Sequence, residues 1–268
     1  MSSLQLELVA GPLRSMRRAI AWWSIGLAAL VVLTLAFWPI FKGSTGITDA
    51  LNHLPSSVLV AFGLQDFGSP SGYLRANLYE ILVPILLVAV AVTLVGSQTA
   101  SEEAGGRLEL YLAQPVRRPA VYLGRAVAAF IGLLVVTLVL AVVQVAMDAV
   151  VNLPIDLGNL LATILSDVVL ATFFGGLAFA IACARPRPSV VIGAGIELAV
   201  LSYMVVALFS FSSALQPWSQ LSPWSWAFAG NPLEHGADLW RFVALAVPSV
   251  LLVLVGLRAV ARRDIAAG

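Results

Sequence analysis

Charge is scarce in this chain. Only 11% of its 268 residues are Asp, Glu, Lys or Arg, against about 25% in a soluble domain. So few charged groups cannot cover a globular surface, which excludes an ordinary soluble enzyme and a disordered chain. The 15 basic and 14 acidic residues leave a net charge of +1, so no nucleic acid or strongly charged partner is expected. The single cysteine, Cys183, excludes an intrachain disulfide. The two histidines, His53 and His235, fall in connecting segments, and no Cys/His cluster suggests a metal. There is no G-x-x-x-x-G-K-[ST] phosphate loop: Gly105-Gly106 is too short and lacks the lysine. No nucleophile is accompanied by a base. Hence no catalytic residue and no cofactor is expected on this chain.

Apolar residues dominate instead, at 60%, and the mean hydropathy is +0.96. A helix needs about 20 apolar residues to cross a bilayer core of about 30 Å. Six runs qualify, at about 20–41, 78–97, 126–147, 160–182, 190–211 and 240–257. The first is too long for a signal peptide and no A-x-A site follows it, so it reads as a retained span. The expected fold is an all-α polytopic membrane protein, a single transmembrane domain over 1–268. An even number of spans puts both termini on one side. Twelve of the 15 basic residues fall on that side, leaving Lys42, Arg75 and Arg241 opposite. The excess places both termini in the cytoplasm. The larger connecting segments are 42–77 and 212–239 outside and 98–125 inside.

The inner segment 98–125 carries the most pattern. Thr99 and Glu102 have capping-box spacing. Leu108, Tyr111 and Leu112 share one helical face, with Glu102, Glu103, Arg107 and Glu109 around it. Pro115 ends the helix, and Pro119 restricts the next start. Such a helix lies on the membrane surface or docks a cytoplasmic protein. Its three glutamates disfavour anionic lipid, so docking fits better.

Glu-Glu-Ala-Gly-Gly-Arg-Leu-Glu-Leu-Tyr-Leu-Ala-Gln-Pro-Val-Arg-Arg (102–118), then Leu123-Gly124-Arg125, resembles the first cytoplasmic loop of type-2 ATP-binding-cassette (ABC) exporter permeases. The matching positions are Glu102, Gly106, Leu108, Glu109, Leu110, Leu112, Pro115, Val116, Arg118 and Gly124. Arg107, Tyr111, Arg117 and Arg125 depart from the usual Thr, Leu, Ser and Lys. The resemblance implies a coupling helix over Glu102–Ala113 that sits in a groove of a separate cytoplasmic ATPase subunit, which would carry the ATP and Mg. It also implies pairing with a second permease copy or a sister permease in a bacterial cytoplasmic membrane. The exported substrate would be a drug, antibiotic, lipid or peptide.

Residues 1–19 place Leu4, Leu8, Leu13 and Met16 at helical intervals beside Arg14, Arg17 and Arg18. They read as an amphipathic helix on the inner membrane surface, similar to the elbow helix of the same exporters, or as a plain positive-inside anchor. Three tryptophans in 216–233 read as an interfacial belt. Alternatively, Leu221-Ser-Pro-Trp224 resembles the short re-entrant helices that precede the last span in type-2 exporters. Pro223, Trp224 and Trp226 would then belong to an extracellular gate.

Two acids fall inside spans: Asp167 and Glu197, each about 10 Å from one end of its run at 1.5 Å per residue. They read as lining of a substrate cavity, or as structural acids satisfied by neighbours such as Ser166 and Tyr203. A proton-coupled secondary transporter using these two acids is the rival to an ATP-driven exporter. Arg75 and Glu80 lie near the outer interface, where they can pair. Thr172, Gly176 and Ala180 form a small-residue stripe suited to close helix packing. Pro84 and Pro248 should kink spans two and six.

Overall fold

A computed structural model of the protein describes residues 3–42, 46, 53–55, 58–59, 64, 66–105 and 117–262. Among these, helices are joined by turns and no strand is formed. Six segments are long and apolar enough to cross a membrane. The fold is an all-α polytopic membrane protein.

The first span is α1, Ser3–Ala36, followed by the short α2, Trp38–Phe41. The separate amphipathic helix expected at 1–19 is not separate: it is the first part of α1. Nothing between Arg14 and Ala36 breaks a helix, and Pro12 removes one backbone donor without ending it. At 1.5 Å per residue α1 is about 50 Å long, so it overhangs a core of about 30 Å. Arg14, Arg17 and Arg18 lie exposed on the overhang, while Met16 is buried.

The second span is discontinuous. It runs through α3, Pro70–Leu74, a π-helix, Arg75–Tyr79, and α4, Leu82–Gln98. Glu80 N–H donates to the Arg75 carbonyl at 2.7 Å, one residue further back than in an α-helix. Ile81 then leaves helical geometry at φ −135°, ψ −53°. Pro84 contributes by lacking the N–H that would meet the Glu80 carbonyl. The expected kink is therefore a break, placed just before the proline. The last span runs as one helix through Pro248.

After the short α5, Ala100–Ala104, come the remaining long helices. These are α6, Arg118–Val151, α7, Leu157–Ala184, and α8, Pro188–Phe209. α6 begins eight residues before the expected span because Pro119 suits a first helical turn and the arginines propagate it. A 3-10 helix, Gln216–Leu221, and two short helices, α9 at Pro223–Phe228 and α10 at Pro232–His235, precede α11, Leu239–Arg262.

Spans two and four form the centre. A Cβ on Gly175 of α7 would lie 3.2 Å from the Ala91 side chain of α4. On another face of α7, a Cβ on Gly176 would lie 3.1 Å from the Ser249 carbonyl oxygen. Gly256 meets Ala180 and Phe179 in the same way. The small-residue stripe therefore seats α11 of the same chain. Gly124 lets α6 touch the backbone of α1, where a Cβ would stand 2.7 Å from the Leu8 oxygen. Close backbone approach of this kind supplies packing where lipid gives no hydrophobic drive between helices.

Candidate functional site

Two polar clusters interrupt the apolar body, one at each end. At the end bearing the termini, α4 closes on Thr99. Thr99 Oγ1 donates to the Val95 carbonyl at 2.7 Å rather than capping α5, so the expected capping box is not formed. Local back-bonding to a helix carbonyl has won over the cap. α5 carries Glu102 and Glu103 and closes at Gly105. Arg125, from the second turn of α6, is 3% exposed. Its Nη2 lies 3.4 Å from Glu102 Oε2, and its Nη1 donates to the Gln98 carbonyl. Tyr122 Oη donates to Glu103 Oε2 at 2.7 Å. Gln98 Nε2 donates to Ser15 Oγ of α1 at 3.1 Å. One arginine thus joins the end of span two, the helix after it and the start of span three. Gly106, Arg107, Leu108, Glu109, Tyr111, Leu112 and Pro115 lie outside the described residues.

At the opposite end a cleft of about 410 Å³ opens between spans two, four and five and the short helices. Arg75, Tyr79, Glu80, Thr163, Trp224 and Phe228 are among its walls. Arg75 and Glu80, on the same turn of span two, interact electrostatically, as their proximity in sequence suggested. Ser222 caps α9 by accepting from Trp224 N–H at 3.2 Å, with Pro223 in the first turn. The Ser222 hydroxyl also donates to the Ser202 carbonyl at 2.6 Å, which fastens α9 to span five. Trp224 is 1% exposed and stacks edge-on to Tyr203 at 5.3 Å. The three tryptophans therefore differ: Trp224 is a packed wedge, Trp226 donates to the Gln220 carbonyl at 2.6 Å, and Trp218 is exposed. Of the three, only Trp224 is buried away from any interface.

The two membrane acids do not share a site. Asp167 is fully buried, and neither carboxylate oxygen has a hydrogen-bond partner among the described residues. Ser166 donates back to the Ala162 carbonyl, and Tyr203 packs on Trp224. Glu197 is exposed on α8. Both helices start a few residues before their apolar runs, so each acid lies about 13–15 Å along its helix from one end.

Three polar residues near Asp167 were not singled out from the sequence. Asp167 is within electrostatic range of Tyr79. Tyr79 Oη donates to Gln144 Oε1 at 3.4 Å, and Gln144 Nε2 donates to Asp148 Oδ1 at 2.8 Å. Asp148 faces a second opening between α6 and α7. An amide in the middle of an otherwise apolar run was the available signal for Gln144. A third, almost wholly apolar cavity of about 300 Å³ lies between spans two, three, four and six, beside Phe130, Gly176 and Phe179. No group of three or more His, Cys, Asp or Glu positioned for a metal occurs among the described residues.

Residues 9–260 match the family described as multidrug efflux system permease Rv1217c, C-terminal domain. The chain belongs to this permease family. The match spans all six membrane segments and agrees with the type-2 ABC exporter permeases that residues 102–118 resemble. No curated protein and no solved structure matches the chain. It is a membrane permease of the efflux kind, built around a central pair of spans.

Proposed function

We propose that the chain is the membrane-spanning subunit of an ATP-driven exporter, working as a pair of permeases with two cytoplasmic ABC ATPase subunits. The arginine-rich end carrying both termini then faces the bacterial cytoplasm, following the excess of basic residues there. ATP and Mg bind on the ATPases.

The observation that carries this reading is the Arg125 junction. A coupling element must move as a rigid body if displacement at its tip is to tilt the spans. Arg125 holds the Gln98 carbonyl and Glu102 together, and Tyr122 holds Glu103. A push on 106–116 would pass through this junction into spans two and three at once. Leu108, Glu109, Tyr111 and Leu112 would make the ATPase contacts, while Glu102 and Glu103 hold the lever. At the other end, Pro223, Trp224 and Trp226 form the gate over the cleft.

Glu197 supports the second copy. A carboxylate turned toward lipid within a span is costly, so the face of α8 that bears it should meet protein or a watered pathway between two permeases. This also weighs against the proton-coupled rival. That mechanism needs Asp167 and Glu197 to act together, and they face different surroundings.

Co-purification with a bound ATPase, followed by vanadate-sensitive transport of an efflux substrate in proteoliposomes, tests the reading. Transport that persists without any ATPase and collapses with an uncoupler would overturn it. The substrate class expected is a drug, antibiotic, lipid or peptide.

A further inference from the structure

Asp167 and the cleft above it belong to one arrangement. Thr163 lines the cleft, and Asp167 stands one turn further into the membrane on the same face of α7. Tyr79 also lines the cleft and feels the Asp167 charge. Tyr79 and Thr163 thus form a floor, with a fully buried carboxylate beneath it whose two oxygens accept no hydrogen bond among the described residues.

The break in span two lies at this depth. Gly175 packs on Ala91. Spans two and four run parallel, so two turns outward from that contact brings Asp167 level with Val83, beside the interruption at Glu80 and Ile81. Interrupted spans at such depth are tolerated where they line a cavity. A buried, unpaired carboxylate is costly, and a positive charge above the floor would offset it. The walls suit an apolar body around that charge. Trp224, Phe228, Val206 and Leu233 line the cleft, and aromatic faces attract cations. Arg75 and Glu80, both in the cleft wall, offset one another, which leaves Asp167 and, beyond Tyr79, Asp148 as the charges near the site.

We infer that this cleft is a binding site for a lipophilic monovalent cation, seated on Tyr79 and Thr163 above Asp167 and enclosed by Trp224 and Phe228. This rests on the efflux reading above and deepens it by naming a substrate class.

The test uses two probes of one shape and opposite charge, tetraphenylphosphonium and tetraphenylborate. Their binding to the purified permease–ATPase complex in a non-ionic detergent is measured by equilibrium dialysis and corrected for protein-free micelles. The wild type should bind the phosphonium at least about tenfold tighter than the borate. Asp167→Asn should erase most of that preference, whereas Glu197→Gln should keep it. Ser210→Lys, which adds a positive charge to the cleft wall, should erase it as well and serves if Asp167→Asn does not assemble. Equal binding of the two probes by the wild type overturns the site. So does a preference that survives Asp167→Asn or, where that variant does not assemble, Ser210→Lys. Vanadate-sensitive ATP hydrolysis measured on the same preparation separates the two claims. Hydrolysis without charge preference removes the cation site and leaves the exporter; preference without hydrolysis does the reverse.

Discussion

Arg125 and Asp167 are equally hidden, at 3% and 0% exposure, yet their surroundings are opposite. Arg125 meets a carboxylate and a backbone carbonyl, and both of those partners are fixed by neighbouring helices. Asp167 sits between helices with neither oxygen accepting a hydrogen bond among the described residues. A paired buried charge is part of the frame that holds the helices. An unpaired one is a strain that the fold retains, and retained strain points to use. The same contrast separates the lever at one end of the molecule from the cleft at the other.

Removing each side chain should break the symmetry of burial in opposite directions. Arg125→Ala should cost the folded permease about 1.5–3 kcal/mol, because the charge-assisted contacts to the Gln98 carbonyl and Glu102 are lost. The midpoint of thermal unfolding in detergent measures this, and Arg125→Lys should recover part of the loss. Asp167→Leu should do the reverse and stabilise the ligand-free protein by about 1–3 kcal/mol. A loss of stability there would mean that Asp167 is held by a partner, and the contrast with Arg125 would fail.

The long helices were legible in the sequence because 20 apolar residues in a row are a strong and local signal. Their ends were less so. α6 reaches back to Arg118, since a basic stretch after a proline can be helical as readily as looped. The merging of residues 3–19 into α1 was also hidden: an amphipathic pattern is the same whether the helix stops or continues. The break in span two showed only as Pro84, because a π-helix leaves no periodic trace. Glu102 was legible as a polar group in the loop, but its pairing with Arg125 was not. The two stand 23 positions apart and meet only once α5 and α6 pack. Asp167 and Glu197 looked alike in the sequence, since depth is read along a helix while facing depends on which neighbours arrive.

Centre and rim of the bundle offer a second comparison. In the most apolar stretch of the second and fourth spans 61% of residues are buried, against 17% in the fifth. Yet α8 still has one close seam to the centre: a Cβ on Gly195 would stand 2.8 Å from the Val92 side chain. Gly195→Leu should overpack it and cost about 1–3 kcal/mol, read from the unfolding midpoint. A leucine at Gly193, whose added Cβ would approach only Glu197 Oε1 at 3.9 Å, should cost less than Gly195→Leu.

The smallest effect on stability belongs to Glu197, and it is the most informative about assembly. An exposed side chain without tight packing contributes within about 0.5 kcal/mol when replaced, so Glu197→Gln should leave the unfolding midpoint of the separated chain unchanged. In a membrane the same exchange removes a charge from the apolar face of α8. If that face meets lipid, neutralising it should favour the single chain by making its exposed surface more compatible with hydrocarbon. If it meets a second permease across a watered pathway, dimer formation in nanodiscs should persist. A cysteine at Glu197 should then cross-link between copies and react with a water-soluble maleimide, two outcomes that a lipid-facing position would not give. Asp167 serves as the control, because a cysteine there lies inside one chain and should do neither.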